Sequence, residues 1–80
     1  MKIYDFDGKK NICGDKIRQE RKKQGLTQSD LAARLQVEGV TIERDSISRI
    51  EKGTRFVTDY EVVTIAKCLN ISPNTLLGWD

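Results

Sequence analysis

The chain has 80 residues, of which 38% are hydrophobic and 32% charged, and this suits one small domain rather than two independent cores. Its apolar runs are far shorter than the ~18 residues that span a bilayer, and its charged start lacks the apolar stretch of a signal peptide. We therefore expect a cytoplasmic protein. Without histidine, Cys13 and Cys68 cannot complete a four-ligand zinc site, so we expect two buried, reduced thiols.

The net charge of +2 is too small to indicate nucleic-acid binding, but its distribution along the chain is uneven. Residues 1–23 carry eight basic and four acidic groups, and residues 44–55 carry four and two. Residues 24–43 and 56–80 each carry one basic and three acidic groups. The two positive blocks would attract a polyanion if folding brings them to one face, and would only aid solubility if it does not.

The first helix is predicted after an N-terminal arm. Residues 1–10 alternate charged side chains with apolar ones and predict an arm or short extended segment; the apolar side chains are Ile3, Tyr4 and Phe6. Asn11 is a good N-cap, Ile12 and Ile17 fall on one helical side, and Gly25 can stop the helix. The last turn before Gly25 is basic, which suits a helix C-terminus.

The second and third helices are separated by a stretch that disfavours helix. Thr27 and Asp30 form an acidic variant of the capping box, which predicts a helix over residues 28–36. Residues 36–43 contain Gly39 and several β-branched side chains, and they predict an extended turn. The third helix begins near Arg44 and ends at Gly53. Its inner side chains are Ile47 and Ile50, and its outer ones are Arg44, Ser48, Arg49 and Lys52.

Two more helices complete an all-α bundle of five. Thr58 and Glu61 form a capping-box pair that opens the fourth helix. Ser72, with Pro73 at the first helical position, opens the fifth. The domain is therefore expected to cover residues 11–80. Two short helices joined by a turn, the second with a cationic outer face, suit insertion into a DNA groove, although plain core packing produces the same alternation.

Several strings of the sequence resemble one family in their order along the chain. They are GDKIRQERKKQGLTQSDLAARL, DSISRIEKGTR, VVTIAKCLNIS and a final LL, and together they cover about residues 12–77. They are similar to the helix-turn-helix family of phage repressors and Cro, also called the xenobiotic-response-element or lambda-repressor-like family. The resemblance implies a five-helix DNA-binding bundle whose third helix enters the major groove.

The resemblance also assigns residues to DNA. It implies base contacts by Arg44, Asp45, Ser46, Ser48 and Arg49. The arginines are the strongest candidates, because a guanidinium can bond guanine bidentately. For Asp45 two interpretations stay open, a bond from cytosine and a cap on the helix.

The resemblance also implies contacts to DNA phosphates, made by Thr27, Gln28, Lys52, Thr54 and Arg55. The competing interpretation of these residues is a cap at Thr27 and solvated polar groups elsewhere.

Two further sets of residues are expected to be structural. Arg21 and Glu51 stand where family members pair the first helix with the end of the third, an arrangement that could also turn Arg21 toward a phosphate. The expected core is Ile17, Leu26, Leu31, Ala32, Leu35, Ile47, Ile50, Ile65, Ala66 and Leu69. The turn between the second and third helices is about five residues longer than in the family. Residues 38–42 are interpreted as a tolerated insertion, with a DNA contact through Gly39 as the alternative.

The resulting hypothesis is a transcriptional regulator, acting as a repressor on double-stranded DNA. Family members commonly bind a palindromic operator as homodimers, and Leu76, Leu77 and Trp79 are the expected dimer surface. The alternative is a protein-interaction module such as an antitoxin or adaptor. No enzymatic activity, cofactor, metal, membrane or small-molecule ligand is expected, since no histidine, paired-cysteine motif or phosphate-binding glycine loop is present.

Overall fold

In a computed structural model, which describes residues 7–79, five α-helices follow one another along the chain. They are α1 (Gly14–Lys23), α2 (Gln28–Val37), α3 (Arg44–Lys52), α4 (Asp59–Cys68) and α5 (Pro73–Leu77). The predicted all-α architecture is confirmed. The arm residues Ile3, Tyr4 and Phe6 lie outside the described residues. Within residues 7–79, no helix is long and apolar enough to cross a membrane.

Helix α1 begins later than predicted. It starts at Gly14 rather than directly after Asn11, although the Asn11 side chain still serves it, because Oδ1 accepts a bond from the Gly14 amide at 2.8 Å. Ile12 precedes the helix and is 51% exposed, so the prediction that it shares the buried side with Ile17 is wrong. The predicted stop is confirmed, since Gly25 has a φ of +70° in the turn that closes the helix.

Helices α2 and α3 have the predicted starts, but only α2 is capped by a side chain. The Thr27 hydroxyl accepts from the Asp30 amide at 3.0 Å, and the Asp30 carboxylate accepts from the Thr27 amide at 2.9 Å. The bond from the Thr27 amide to the carboxylate, followed by the Thr27 side chain, lowers the pKa of Asp30. Glu43 occupies the N-cap position of α3 without a side-chain bond. Asp45 lies inside α3, so the interpretation that it caps the helix is wrong.

The linker between α2 and α3 is part of the folded core. Ile42 is only 3% exposed and belongs to the buried apolar cluster. The Val40 amide donates to the Leu35 carbonyl at 3.0 Å, and Gly39 makes the turn with a φ of +85°. Residues 38–42, interpreted as a tolerated loop insertion, are therefore anchored to the core through Ile42.

Eight of the expected core residues are buried, while Leu26 and Ala32 pack at the edge of the core. The expected core did not include Ile42 and Leu76, which are also buried, and Cys13, expected as a buried thiol, completes the set. Burial, only partly offset by a backbone hydrogen bond, raises the pKa of the Cys13 thiol to about 11. Both cysteines are free, but Cys68 is only partly buried, so the expectation of two buried thiols holds for Cys13 alone.

Helices α4 and α5 also start as predicted. The Thr58 amide donates to Glu61 Oε1 at 3.0 Å, and the Thr75 amide donates to the Ser72 hydroxyl at 3.1 Å. Helix α3 packs against both α1 and α2, whereas α4 packs against α2 and α5. This arrangement fixes the inner side of α3 and leaves its other side at the surface.

Candidate nucleic-acid interface

Helix α3 has one buried and one polar face. Ile47 and Ile50 are each 1% exposed and hold the helix against the core. The polar face contains the predicted base-contacting residues together with Lys52. Arg44, Asp45, Arg49 and Lys52 are exposed, and Ser46 and Ser48 are half-buried. The structure therefore brings the five predicted base-contacting residues together on one short helix.

The two arginines of this face have different neighbours. Arg44 Nη2 lies 2.9 Å from Asp45 Oδ1, so a carboxylate offsets part of its charge. Arg49 Nη2 donates to the Ser46 hydroxyl at 3.4 Å, and within residues 7–79 no carboxylate forms an ion pair with Arg49. Arg49 is therefore the better-placed guanidinium for an acceptor outside the protein.

A buried ion pair fixes the far end of α3. Arg21 Nε donates to Glu51 Oε2 at 2.7 Å, and Nη2 donates to Oε1 at 2.9 Å. Arg21 Nη1 donates to the Leu26 carbonyl at 2.8 Å. The hydrogen bonds to Glu51, against a smaller opposing effect of burial, raise the pKa of Arg21 above its ordinary value. The structure thus joins α1 to α3 as expected, but it does not turn Arg21 toward a phosphate, because the guanidinium is enclosed.

The start of α2 is connected to the same pair. Gln28 Nε2 donates to Glu51 Oε1 at 3.1 Å, which ties the first residue of α2 to α3. A surface cleft runs between the three helices and is lined by Asp15, Arg18, Gln28, Ser48, Glu51 and Lys52. The cations at its edges and the positive end of α2 suit a phosphate group. Thr27 is exposed at this helix start and acts as its cap.

Two predicted phosphate ligands have other bonds. The Thr54 hydroxyl donates to the Arg49 carbonyl at 3.2 Å and helps to close α3. Arg55 Nη1 and Nη2 lie 3.1 and 3.3 Å from the two carboxylate oxygens of Glu61. Burial alone would raise the pKa of Glu61, but the bonds from Arg55 and from the Thr58 amide outweigh it and lower that pKa. Arg55 therefore links the loop after α3 to Glu61 on α4.

Sequence reasoning missed two contributors to this surface. Asn11 Nδ2 donates to the carbonyls of Ile50 and Arg55 at 3.1 and 2.8 Å, which fastens the chain before α1 to the end of α3. No local signal could reveal bonds across such a distance in sequence. Arg18, at the cleft, could have been found, because it lies one helical turn before Arg21 in the first basic block.

The matched part of the chain contains all five helices in full or in part. Residues 17–76 match the helix-turn-helix family. The chain belongs to this family. Helices α2 and α3 are its helix-turn-helix unit, and α1, α4 and α5 support that unit. No group of side chains suited to a metal ion occurs among residues 7–79.

Two solved structures of similar proteins place this helix-turn-helix chain among known folds. One is the P22 c2 repressor protein in complex with a synthetic operator, with 28% sequence identity and a TM-score of 0.70. The match covers 88% of this chain and 98% of the repressor chain. The other is the restriction-modification controller protein C.AhdI from Aeromonas hydrophila, with 30% identity, a TM-score of 0.69, and coverage of 80% and 86%. No curated protein sequence matches the chain.

Proposed function

We propose that this helix-turn-helix protein is a sequence-specific transcriptional regulator that represses by laying α3 in the major groove of double-stranded DNA. The observation that carries the proposal is the polar face of α3, where Arg49 is exposed and has no ion pair within residues 7–79, while the Arg21–Glu51 pair fixes the helix end. A similar protein, the P22 c2 repressor, has been crystallised in complex with a synthetic operator. A second, C.AhdI, is named a controller protein.

Base recognition is assigned to the outer residues of α3. A guanidinium can bond O6 and N7 of one guanine together, which separates the correct base from a wrong one by about 1–3 kcal/mol. Arg49 has this role, because it is exposed and free of carboxylates in the described chain. Arg44 is the second candidate, because its guanidinium also lies beside Asp45 in an exposed and therefore weak ion pair. Ser46 and Ser48 are positioned for single hydrogen bonds to neighbouring bases.

Backbone contacts are assigned to the cleft between α1, α2 and α3. Lys52 and Arg18 supply its cations. Thr27 and Gln28 lie at the start of α2, but the Gln28 side-chain amide already donates to Glu51, so Gln28 contributes less than the two cations. Such contacts set the register of the protein on DNA and carry no sequence information themselves. Thr54 and Arg55 contribute less to this surface than the sequence indicates, since their donors already bond within the protein.

The regulator acts as a homodimer on a palindromic operator. Two copies of α3 would then enter the major groove one helical turn, roughly 34 Å, apart. The two free thiols of the chain are compatible with a reducing compartment, so we place the protein in the cytoplasm.

The salt dependence of binding tests whether the protein neutralises phosphates. Each phosphate contact adds about 0.9 to the slope of log affinity against log salt, so several contacts give a steep fall. Lys52→Ala should reduce the steepness of the slope by about 0.9, the value for one phosphate contact, and weaken binding to all sequences alike. Lys16→Ala is the matched control, because Lys16 lies in the groove between α1 and α5, away from α3. A flat salt response of the wild type would contradict DNA binding and favour a protein-interaction module.

A further inference from the structure

Helix α4 has an exposed face that the proposed DNA contact does not use. Tyr60 is 60% exposed and Val63 is 55% exposed, although both belong to a helix whose opposite side is buried. Asp59 and Lys67 are also exposed. Residues four apart lie above one another on a helix, so Asp59, Val63 and Lys67 form one line, with Tyr60 beside it. We call these four residues the α4 stripe.

The charges of the α4 stripe are arranged symmetrically about its centre. Asp59 lies four residues before Val63, and Lys67 lies four residues after it. When a helix packs antiparallel against its own copy about a two-fold axis at Val63, each Asp59 faces the other copy's Lys67. A parallel pairing would instead place Asp59 against Asp59 and Lys67 against Lys67. A closed two-fold contact needs a self-complementary surface, and the antiparallel pairing provides it.

We propose that the α4 stripe is the docking site for a second copy of this chain, with the two α4 helices antiparallel and Val63 at the two-fold axis. This inference rests on the proposed dimeric function and names its interface. Tyr60 supplies the aromatic anchor that is typical of such contacts, and Val63 packs on its own counterpart. The surface expected from the sequence is only partly available, because Leu76 is buried in the core of its own chain, while Trp79 is 79% exposed.

The bonds that Asp59 and Lys67 make within the chain still allow both to pair with a second copy. Asp59 Oδ1 accepts from the Tyr60 amide at 2.6 Å, and Asp59 has no ion pair within residues 7–79. Lys67 Nζ lies 2.7 Å from Glu38 Oε1, but both side chains of that pair are in contact with solvent. An exposed pair of this kind holds its partners weakly, and an ammonium group has three donors. Lys67 can therefore bond Asp59 of a second copy while it keeps Glu38.

Sedimentation equilibrium of the free protein at low salt, without DNA, tests the inference. The wild type should dimerise, and Val63→Asp should weaken the dimer at least about tenfold, because the two new carboxylates meet at the axis. Val37→Asp is the matched control, since Val37 is 85% exposed at the end of α2 and should leave the dimer unchanged. A wild type that stays monomeric at about millimolar concentration, or a Val63→Asp variant that dimerises like the wild type, would overturn the proposal.

Charge reversal tests the antiparallel orientation. Asp59→Lys and Lys67→Asp should each dimerise more weakly than the wild type, because like charges then face each other across the antiparallel contact. The double variant Asp59→Lys/Lys67→Asp should dimerise like the wild type, but a mixture of the double variant and the wild type should form few mixed dimers, because an antiparallel mixed dimer sets like charges against each other whereas a parallel one would set opposite charges together. Single variants that dimerise as well as the wild type, or preferred formation of the mixed dimer, would refute the orientation.

Binding of Val63→Asp to a single half-site duplex separates this inference from the proposed function. If Val63→Asp binds the half-site and also dimerises like the wild type, only the α4 interface is rejected. If the wild type itself does not bind the duplex, the proposed function is rejected.

Discussion

Removal of Arg21 should show how strongly the fold depends on the buried pair behind α3. Arg21 and Glu51 are each 7% exposed, and the guanidinium makes two bonds to the carboxylate and one to the Leu26 carbonyl. In Arg21→Met the Glu51 carboxylate would stay buried with only the bond from Gln28. Breaking a buried pair on one side costs about 3–5 kcal/mol. A domain of this length has a total stability of about 4–12 kcal/mol, so the variant should be at the edge of unfolding.

A double-mutant cycle separates the pair from its surroundings. Arg21→Met/Glu51→Leu removes both charges and should be more stable than Arg21→Met, because no carboxylate then remains buried without its cation. We expect a coupling energy of at least about 2 kcal/mol from urea denaturation followed by circular dichroism. Lys9→Met, which breaks the exposed ion pair with Asp15, is the control and should cost less than about 1 kcal/mol. Additive effects of the two single changes would refute the reasoning.

Two further changes test other contacts of the fold. Gly14→Ala should cost about 1–3 kcal/mol in urea denaturation, because a Cβ there would collide with the backbone carbonyl of Ile50; an unchanged midpoint would contradict this close approach. The pKa of Glu61 is lowered in the fold below 4.5, so its contribution to stability is present above about pH 4.5 and lost as pH falls through the lower folded-state pKa. The free energy of unfolding of the wild type should therefore fall relative to that of Glu61→Gln between about pH 5 and pH 3, and parallel pH profiles would count against the Arg55 bond.

The sequence predicted the elements whose signals are local. Thr27 with Asp30, Ser72 with Pro73 and the closing Gly25 act within one helical turn of the residues they stabilise, and each lies where it was predicted. The inner face of α3 was also predictable, because the spacing of Ile47 and Ile50 places both side chains on one side of a helix.

The bonds that cross between elements were harder to predict. Asn11 was interpreted as the cap beside it, but its amide joins residues far along the chain. The family resemblance implies a phosphate contact by Arg55, and the fold brings Glu61 to its guanidinium. Ile42 belongs to the predicted insertion, yet its side chain fills the core. In each case the residue type permits several partners, and only the packing of distant elements selects one.

The candidate site could be predicted in part, because it depends on local signals and also on contacts that the sequence does not reveal. The polar face of α3 follows from helical periodicity alone, but the periodicity does not separate Arg44 from Arg49. That difference comes from the Asp45 carboxylate beside Arg44 and the Ser46 hydroxyl beside Arg49. Family resemblance supplied the pairing of Arg21 with Glu51, and the structure adds Gln28 to it.

Selection of bound duplexes from a random pool, carried out in parallel with the wild type and with Arg49→Ala, tests the central claim that α3 reads DNA sequence. The wild type should enrich an inverted repeat whose half-sites are about one helical turn apart. Arg49→Ala should enrich the same repeat without preference at one position in each half-site. The absence of any enriched sequence with the wild type, or identical base preferences for the two proteins, would contradict the assignment of Arg49 on α3 as the principal base contact.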